Sequence, residues 1–276
     1  MSSGNGERSG GLRWFGWTDV GRVRRNNEDA YLAMQFDARE VQLLGRLGEG
    51  GLEEVDRAFA VCDGMGGAKA GEFASRVAVE QITKLLPRSF AQRAAGLASG
   101  NPDLLNELFT KIHKALVYMG GCYEECAGME TTLSLCWFSP GWMHFAHVGD
   151  SRIYYLPKSG TGIRQLSHDD TYVGWLFRSG QINEREARSH PRRNVLQKAL
   201  GGGNQFVDPQ LGAVGTEQGD RFLICSDGLT EGLYDHHVAD LMQSPGPCGN
   251  PARALVEASV ELDGKDNTTA VVIEVI

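Results

Sequence analysis

Several apolar segments of this chain end in an aspartate that lies beside a glycine. Each segment has the length and composition of a buried strand. With the residues that follow the aspartate, the segments occupy residues 59–67, 145–152 and 222–229. Acidic residues also precede two further strand-like segments, as Glu28-Asp29 and as Asp266. An aspartate at a strand end extends its carboxylate into the loops at the rim of a sheet, and a neighbouring glycine allows close backbone approach to a ligand. The pattern therefore predicts several carboxylates at sheet rims.

Carboxylates that meet at one rim repel one another unless a cation neutralises them. Hard divalent cations such as Mg²⁺ and Mn²⁺ prefer oxygen ligands, so a converging set would be typical of a metal site. The alternative is structural, because Asp-Gly is a common turn dipeptide and each motif alone is more typical of a turn. Periodicity does not bring the aspartates together, so both interpretations stand at this stage.

The elements predicted around these residues fall into runs of strands and pairs of helices. Strands are predicted at residues 13–21, 30–36, 57–64, 131–138, 142–156 and 221–228, and at the end of the chain. Apolar residues at helical spacing predict helices over residues 70–86, closed by Pro87, and over 102–119, 236–243 and 251–262. This grouping favours an α+β fold, with antiparallel sheets and helices packed outside, over alternating βαβ units.

Three segments are predicted to lie outside the regular layers. Residues 1–12 are small and polar, and we expect a disordered tail. Residues 37–56 are polar and contain glycine, so we expect an insertion loop with one helical turn. Residues 171–177 and 183–187 have the pattern of short helices within a loop-rich segment.

The composition excludes several kinds of function. The chain has 276 residues, with 27 basic and 35 acidic side chains, and a formal net charge of −8. An acidic chain lacks the basic face that non-specific nucleic-acid binding needs. No segment has the apolar core of a signal peptide or the ~18 apolar residues of a membrane span. We therefore expect a cytoplasmic protein without nucleic-acid or membrane partners, in which Cys62, Cys136 and Cys225 are reduced, buried thiols.

Six short motifs then occur in one order along the chain. They are Arg24-x-x-x-Glu28-Asp29, Asp63-Gly64-Met65-Gly66-Gly67, Thr131-Thr132, Gly149-Asp150-Ser151-Arg152, Ser226-Asp227-Gly228 and Asp266-Asn267. In this order the chain resembles the metal-dependent protein phosphatases of the protein phosphatase 2C type, most closely the small bacterial members, from about Trp14 to Ile276. The resemblance implies a four-layer α-β-β-α sandwich with two mainly antiparallel sheets packed face to face. Because the motifs span both halves of the chain, it also implies one catalytic domain over residues 13–276.

The resemblance implies a binuclear centre of Mn²⁺ or Mg²⁺. Asp63 would bridge the two metals, and the carbonyl of Gly64 would bind the first of them. Asp227 and Asp266 would bind the second metal. These three aspartates and Arg24 would form the catalytic set.

The same resemblance implies supporting roles for four residues. Glu28 and Asp29 would hold metal-bound waters or contribute a ligand. Asp150 would share a third, weaker metal site with Asp227. Arg24 would bind the substrate phosphate, since its planar fork suits bidentate contact with phosphate oxygens.

The activity implied is that of a serine/threonine protein phosphatase. A metal-bridging hydroxide would attack phosphoserine or phosphothreonine directly, without a phospho-enzyme. The partners would be phosphorylated proteins, targets of a Ser/Thr protein kinase, and the chain would be a monomer. Two alternatives remain: a non-catalytic relative that binds phosphoproteins, and a hydrolase of small phosphates. Loss of a metal carboxylate would favour the first, whereas Asp63, Asp227 and Asp266 are all present.

Three positions depart from the family pattern. Met65 stands where eukaryotic relatives carry a histidine assigned as general acid, as it does in bacterial members. Glu130 replaces the usual glycine before the Thr-Thr pair, and its side chain needs room. Asp169-Asp170-Thr171 replaces an Asp-His-Ser segment at the start of the flap, about residues 171–200, which in the family helps to select substrates.

Overall fold

Two sheets packed between layers of helices make up the fold. The computed structural model describes residues 10–94, 100–159, 162–203 and 206–276. The strands are β1 (Gly11–Asp19), β2 (Asp29–Phe36), β3 (Val41–Leu43), β4 (Leu47–Gly51), β5 (Asp56–Met65), β6 (Glu130–Thr131), β7 (Leu133–Ser139), β8 (Trp142–Val148), β9 (Arg152–Leu156), β10 (Arg164–Gln165), β11 (Leu200–Gly201), β12 (Gln210–Gly215), β13 (Arg221–Cys225) and β14 (Thr268–Val275). The helices are α1 (Gly67–Ala94), α2 (Asn101–Cys122), α3 (Tyr172–Arg178), α4 (Glu184–Ser189), α5 (Asp227–Gly232), α6 (Asp235–Gln243) and α7 (Pro251–Leu262).

Each sheet is antiparallel wherever strands pair in the described ranges. One sheet has the order β10-β9-β13-β14-β1-β4. The other has the order β11-β6-β5-β7-β8-β12, with β2 beside β5 and β3 beside β2. The prediction of an α+β fold with two mainly antiparallel sheets is therefore confirmed.

Three apolar clusters separate the four layers. The first packs α1 and α2 on the larger sheet, through side chains such as Ile82 and Phe109. The second lies between the sheets and includes Phe59 from one and Phe222 from the other. The third packs α5, α6 and α7 on the smaller sheet, through side chains such as Leu255. The order of layers is therefore α-β-β-α. No helix in the described ranges is long and apolar enough to cross a membrane.

The structure corrects two predicted boundaries. Residues 37–56 are not a loop with a helical turn, because they contain β3 and β4, which extend the two sheets at their edges. The tail predicted over residues 1–12 ends earlier, since β1 already begins at Gly11; residues 1–9 lie outside the described part.

The helix predicted to close at Pro87 continues to Ala94. Phe90 lies beyond the proline and packs on Phe36 and Trp137 with ring centroids 5.5 and 6.2 Å away. Continued packing on the core therefore outweighs the lost backbone hydrogen bond.

Two glycines, one in β4 and one after β11, make room for large side chains. A Cβ at Gly48 in β4 would lie 2.2 Å from the Trp14 ring. At Gly202, where φ is +60°, a Cβ would lie 1.7 Å from Oε1 of Glu130. The glycine that follows β11 thus provides the space that the unusual Glu130 requires.

The predicted buried thiols are found. Cys62, Cys136 and Cys225 are free cysteines in β5, β7 and β13. Burial raises the pKa of each of these thiols above its ordinary value. They are therefore neutral core side chains.

Candidate metal centre

Antiparallel pairing explains why the acidic strand ends meet. In the larger sheet, Asp29 at the start of β2 lies opposite Asp63 near the end of β5. In the smaller sheet, Cys225 at the end of β13 lies opposite Arg152 at the start of β9 and Ala270 near the start of β14. The loops with Asp150, Asp227 and Asp266 therefore share one end of that sheet.

The predicted site residues surround one cavity of about 330 Å³ at this rim. Its lining includes every predicted site residue except Asp29: Arg24, Glu28, Asp63, Gly64, Asp150, Asp227 and Asp266. Met65, Asn194 and Leu196 complete part of the wall. The structure thus brings together residues separated by more than two hundred positions in the sequence.

The Thr131-Thr132 motif fixes the backbone of Asp63. The amide of Asp63 donates to Oγ1 of Thr132 at 3.0 Å. The Asp63 carbonyl accepts from Oγ1 of Thr131 and from the Thr132 amide, each at 2.9 Å. The Thr132 hydroxyl in turn contacts the Ser151 hydroxyl, in the loop that carries Asp150. These bonds set the position from which the Asp63 carboxylate enters the cavity.

Ser226 joins the two sheets beneath the cavity. Its hydroxyl donates to Oδ2 of Asp29 at 2.7 Å and accepts from the Thr269 amide at 3.0 Å. Asp29 therefore lies under the cavity and not in its wall. Sequence analysis assigned no role to Ser226, although the residue precedes Asp227 in one of the motifs.

Asn267 fixes the segment that carries Arg24 and Glu28. Its Oδ1 accepts from the Glu28 amide at 2.7 Å, and its Nδ2 donates to the carbonyls of Val20 and Asn26 at 2.9 and 3.0 Å. The side chain is 4% exposed. Sequence analysis assigned no role to this residue either, and its place beside Asp266 was the only available signal.

Arg24 pairs with Asp266 at the mouth of the cavity. Its Nη2 donates to Oδ2 of Asp266 at 2.6 Å, and 52% of the Arg24 side chain is exposed. This hydrogen bond raises the pKa of Arg24. The structure therefore places the predicted phosphate-binding residue next to a predicted metal ligand.

The unusual Asp169-Asp170 pair holds the start of the flap to the Asp150 loop. Arg152 donates from Nε and Nη2 to both carboxylate oxygens of Asp169, at 2.9 and 2.6 Å. Gly149 exchanges two bonds with Asp170: its amide donates to Oδ2 at 3.1 Å, and its carbonyl accepts from the Asp170 amide at 2.7 Å. Although Asp169 and Asp170 depart from the family pattern, their hydrogen bonds still connect the start of the flap to the loop that lines the cavity.

The carboxylates lie close enough to shift one another's pKa values. Burial raises the pKa of Asp63 well above its ordinary value, and the nearby charges of Asp29, Asp227, Asp150 and Asp266 raise it further. The pKa of Asp227 is raised for the same reasons. Burial also raises the pKa of Asp29 to about 6 and that of Asp150 to about 7. Without a cation the cluster therefore resists full ionisation.

The donor chemistry of the cluster fits a hard divalent cation. Oδ1 of Asp29 and Oδ1 of Asp227 are buried without a hydrogen-bond partner, and the surrounding ligand atoms are all oxygens. In the described ranges, no three His, Cys, Asp or Glu side chains already stand in the arrangement of a bound metal ion. Two hydrogen bonds instead satisfy single carboxylate oxygens: Arg24 donates to Asp266, and Ser226 donates to Asp29.

An α-β-β-α sandwich with an acidic, oxygen-only cluster at the rim of its sheets defines the class of metal-dependent protein phosphatases. The family model described as protein phosphatase 2C matches residues 50–258, and the chain belongs to this family.

Relatives resemble the chain along most of its length. It is 32% identical over 270 residues to the serine/threonine protein phosphatase PstP of Mycobacterium tuberculosis, covering 96% of this chain and 45% of PstP. The chain thus spans about half the length of that relative. It is 30% identical over 258 residues to the serine/threonine phosphatase stp of Listeria welshimeri, covering 93% of both chains.

A solved structure shares the fold. The catalytic domain of PstP in complex with two manganese ions superposes with a TM-score of 0.75 at 28% identity, covering 97% of this chain and all of that domain. The metals in that structure belong to a relative whose fold matches the present one.

Proposed function

We propose that this protein is a metal-dependent serine/threonine protein phosphatase. The observation that carries the proposal is the convergence of Asp63, Asp227 and Asp266, from both sheets, on one open cavity beside Arg24. Membership of the protein phosphatase 2C family and the named activities of the relatives support it.

We assign the metal ligands as the resemblance suggested. Asp63 would bridge two divalent cations, Gly64 would offer its carbonyl to one, and Asp227 and Asp266 would bind the other. Glu28 and Asp29 would hold metal-bound waters or contribute a ligand. Bound cations would supply an acidified water and positive charge beside the phosphoryl oxygens.

Arg24 would bind the substrate phosphate. Its guanidinium lies at the cavity mouth and offers donors in a planar fork, which suits two parallel bonds to a phosphate. Its pairing with Asp266 keeps it within reach of the cation site. A phosphate would therefore be held between the cations and one arginine, which offsets the repulsion between two anionic partners.

The finer parts of the proposal concern partners and location. The substrates would be phosphoproteins, targets of a Ser/Thr protein kinase, the class of enzyme that places phosphate on serine and threonine. We further propose a monomeric, single-domain cytoplasmic enzyme over residues 13–276, with a third, weaker cation site between Asp150 and Asp227. Both carboxylates line the metal cavity, and the charge of Asp150 raises the pKa of Asp227, which supports that third site.

Cavity dimensions favour a protein substrate over a small phosphate. A second cavity of about 710 Å³ adjoins the metal cavity, since Asp150, Asn194 and Asp227 line both. The larger cavity offers room for residues that flank a phosphorylated side chain. A hydrolase of small phosphates would use only the first cavity.

The central experiment measures hydrolysis of a phosphothreonine peptide with Mn²⁺, and again with a chelator. We expect turnover to require the metal, and Asp63→Asn or Asp227→Asn to lower kcat by at least about two orders of magnitude. Asp208→Asn is the matched control, because that carboxylate is 81% exposed and does not line the cavity. Activity that survives chelation or Asp63→Asn would contradict the binuclear mechanism.

Two further measurements test the substrate. Arg24→Ala should mainly raise KM, since phosphate positioning is lost while the metal ligands remain; the exposed neighbour Arg25→Ala is its control. Comparing kcat/KM for the phosphopeptide with that for a small aryl phosphate tests the substrate class. A clear preference for the aryl phosphate would favour the small-molecule alternative, and no hydrolysis of either would favour a binding protein.

A further inference from the structure

The 710 Å³ cavity lies between the flap and the helix that begins at Asp227. The flap contributes residues of α3 and α4, such as Phe177, Glu184 and Arg188. The opposite wall contains Asp227, Thr230, Glu231 and Tyr234. The separation of these two walls therefore decides how wide the cavity is beside the metal centre.

One flap side chain crosses to the opposite wall. Nη1 of Arg188 donates to the Thr230 carbonyl and Nη2 donates to the Leu233 carbonyl, both at 2.8 Å. Its guanidinium also lies over the Tyr234 ring, 3.9 Å from the centroid. Within its own helix, Arg188 pairs with Glu184 at 3.3 Å. The side chain is 22% exposed, so this contact is largely screened from water.

The carbonyls that Arg188 binds belong to the end of α5. A helix leaves its last carbonyls without intrahelical donors, and a cation there also interacts favourably with the helix dipole. The planar guanidinium reaches two such carbonyls at once, which a lysine ammonium cannot do with the same geometry. Arg188 therefore satisfies polar groups that α5 cannot satisfy itself.

The other end of α5 carries the predicted metal ligand. Asp227 is the first residue of this six-residue helix. On its inner side the helix is held by Ser259, whose Oγ donates to the carbonyls of Gly228 and Leu229 at 2.8 and 3.1 Å. On its outer side the flap holds it, through Arg188. A helix of fewer than two turns has little stability of its own, so these contacts fix the direction of Asp227.

We propose that Arg188 is a positioning residue that docks the flap on α5, and so couples the width of the larger cavity to the placement of the Asp227 carboxylate. This inference rests on the proposed function for its consequences in catalysis. The docking itself rests on contacts between residues of this chain. Loss of Arg188 would widen the larger cavity and, at the same time, make the Asp227 carboxylate less firmly positioned.

Three variants test the proposal. Arg188→Ala removes the contact, and Arg188→Lys keeps the charge without the two-pronged geometry. Arg185→Ala is the matched control, since Arg185 lies on the exposed side of the same helix and does not line the cavity. Melting curves establish that each variant is folded. If Arg188→Ala does not fold, Arg188→Lys is used in its place for the measurements below.

The first readout is hydrogen exchange in the metal-free protein. We expect Arg188→Ala to speed exchange in residues 184–189 and 227–233 together, because the two segments release one another. Arg188→Lys should lie between this variant and the wild type. Wild-type exchange in Arg188→Ala, or equal exchange in Arg185→Ala, would overturn the proposed docking.

The second readout is Mn²⁺ affinity by calorimetry, and the third is a comparison of substrates. We expect Arg188→Ala to weaken Mn²⁺ binding about tenfold, a size typical for loss of a group that orients a metal ligand. It should raise KM for a phosphothreonine peptide several times more than KM for a small aryl phosphate, which does not fill the larger cavity. Unchanged Mn²⁺ affinity with equal effects on both substrates would overturn the coupling. If the wild type hydrolyses no phosphopeptide, the proposed function fails, while exchange and Mn²⁺ affinity still decide the role of Arg188.

Discussion

Without metal, the acidic cluster should destabilise the protein as pH rises. The pKa of Asp150 is raised to about 7 by burial and by the neighbouring charge of Asp169. A carboxyl in the unfolded chain ionises near ~3.9, so between these two values the folded state binds more protons than the unfolded state. Stability that Asp150 contributes at low pH is therefore lost as pH rises through this range.

The size of the effect follows from the two pKa values. Between about pH 5.5 and about pH 7.5, a shift from ~3.9 to about 7 costs about 2 kcal/mol of folding free energy. With an unfolding entropy of ~2.1 cal/mol/K per residue, a chain of 276 residues loses about 3 °C in Tm for this amount.

The assay compares wild type and Asp150→Asn in chelator by thermal melting at both pH values. The asparagine keeps the shape of the side chain but cannot ionise. The Tm of Asp150→Asn minus the Tm of the wild type should therefore be about 3 °C larger at the higher pH than at the lower. Carboxylates outside the cluster titrate in the same way in both proteins and cancel in this difference. Asp63 and Asp227 add to it in the same direction, because the charge of Asp150 raises their pKa values in the wild type only. Asp208→Asn, at an exposed site, should show no such change.

Saturating Mn²⁺ should reverse the effect. A bound cation stabilises the ionised carboxylates, and ligand at about 100 times its Kd adds about 2.7 kcal/mol to the free energy of unfolding. The wild type should then gain more from Mn²⁺ than Asp150→Asn does. A difference in Tm between the two proteins that stays constant with pH, in the absence of metal, would refute the burial of Asp150 in an acidic cluster.

Three further substitutions test contacts that support the site and the sheet edges. Asn267→Ala removes one bond to Glu28 and two to backbone carbonyls, so we expect a loss of about 2–4 kcal/mol in unfolding free energy, measured by denaturant titration, and a higher KM. Gly202→Ala should cost about 2–3 kcal/mol because of its positive φ and the clash with Glu130; Glu130→Gly should relieve the clash alone, and additivity of the two changes would contradict it. Gly48→Ala should overpack the Trp14 contact, lowering the free energy of unfolding by about 1–3 kcal/mol and with it the Tm. Gly51→Ala in the same strand, where a Cβ meets open space, should leave Tm unchanged.

Local sequence patterns predicted helices and strands well where all the local signals indicated the same element. The helix expected over residues 251–262 has those bounds in the structure, since its apolar face, its proline at the start and its cap agree. At Pro87 the local signal was wrong, because packing of Phe90 on the core sustains the helix beyond it. At residues 37–56 it was wrong again, because glycine-rich edge strands have no distinctive pattern until the Trp14 ring that they cover is in place.

The sequence by itself determined the family and, through its motifs, the residues that we propose for the chemistry. Aspartates beside glycines at strand ends, in a fixed order with Arg24, sufficed to indicate the family, the fold and an oxygen-ligand metal site. This was possible because side-chain chemistry and strand periodicity are local properties, visible in a few neighbouring residues.

Only the tertiary structure decided which of these residues meet and what holds them. Antiparallel pairing sets Asp29 opposite Asp63, and Ser226 joins that pair to the other sheet. The roles of Asn267 and Arg188 depend on backbone groups far along the chain, at Val20 and at Leu233. Spacing along a chain carries no information on such distances, since they are set by the register of strands and the packing of layers.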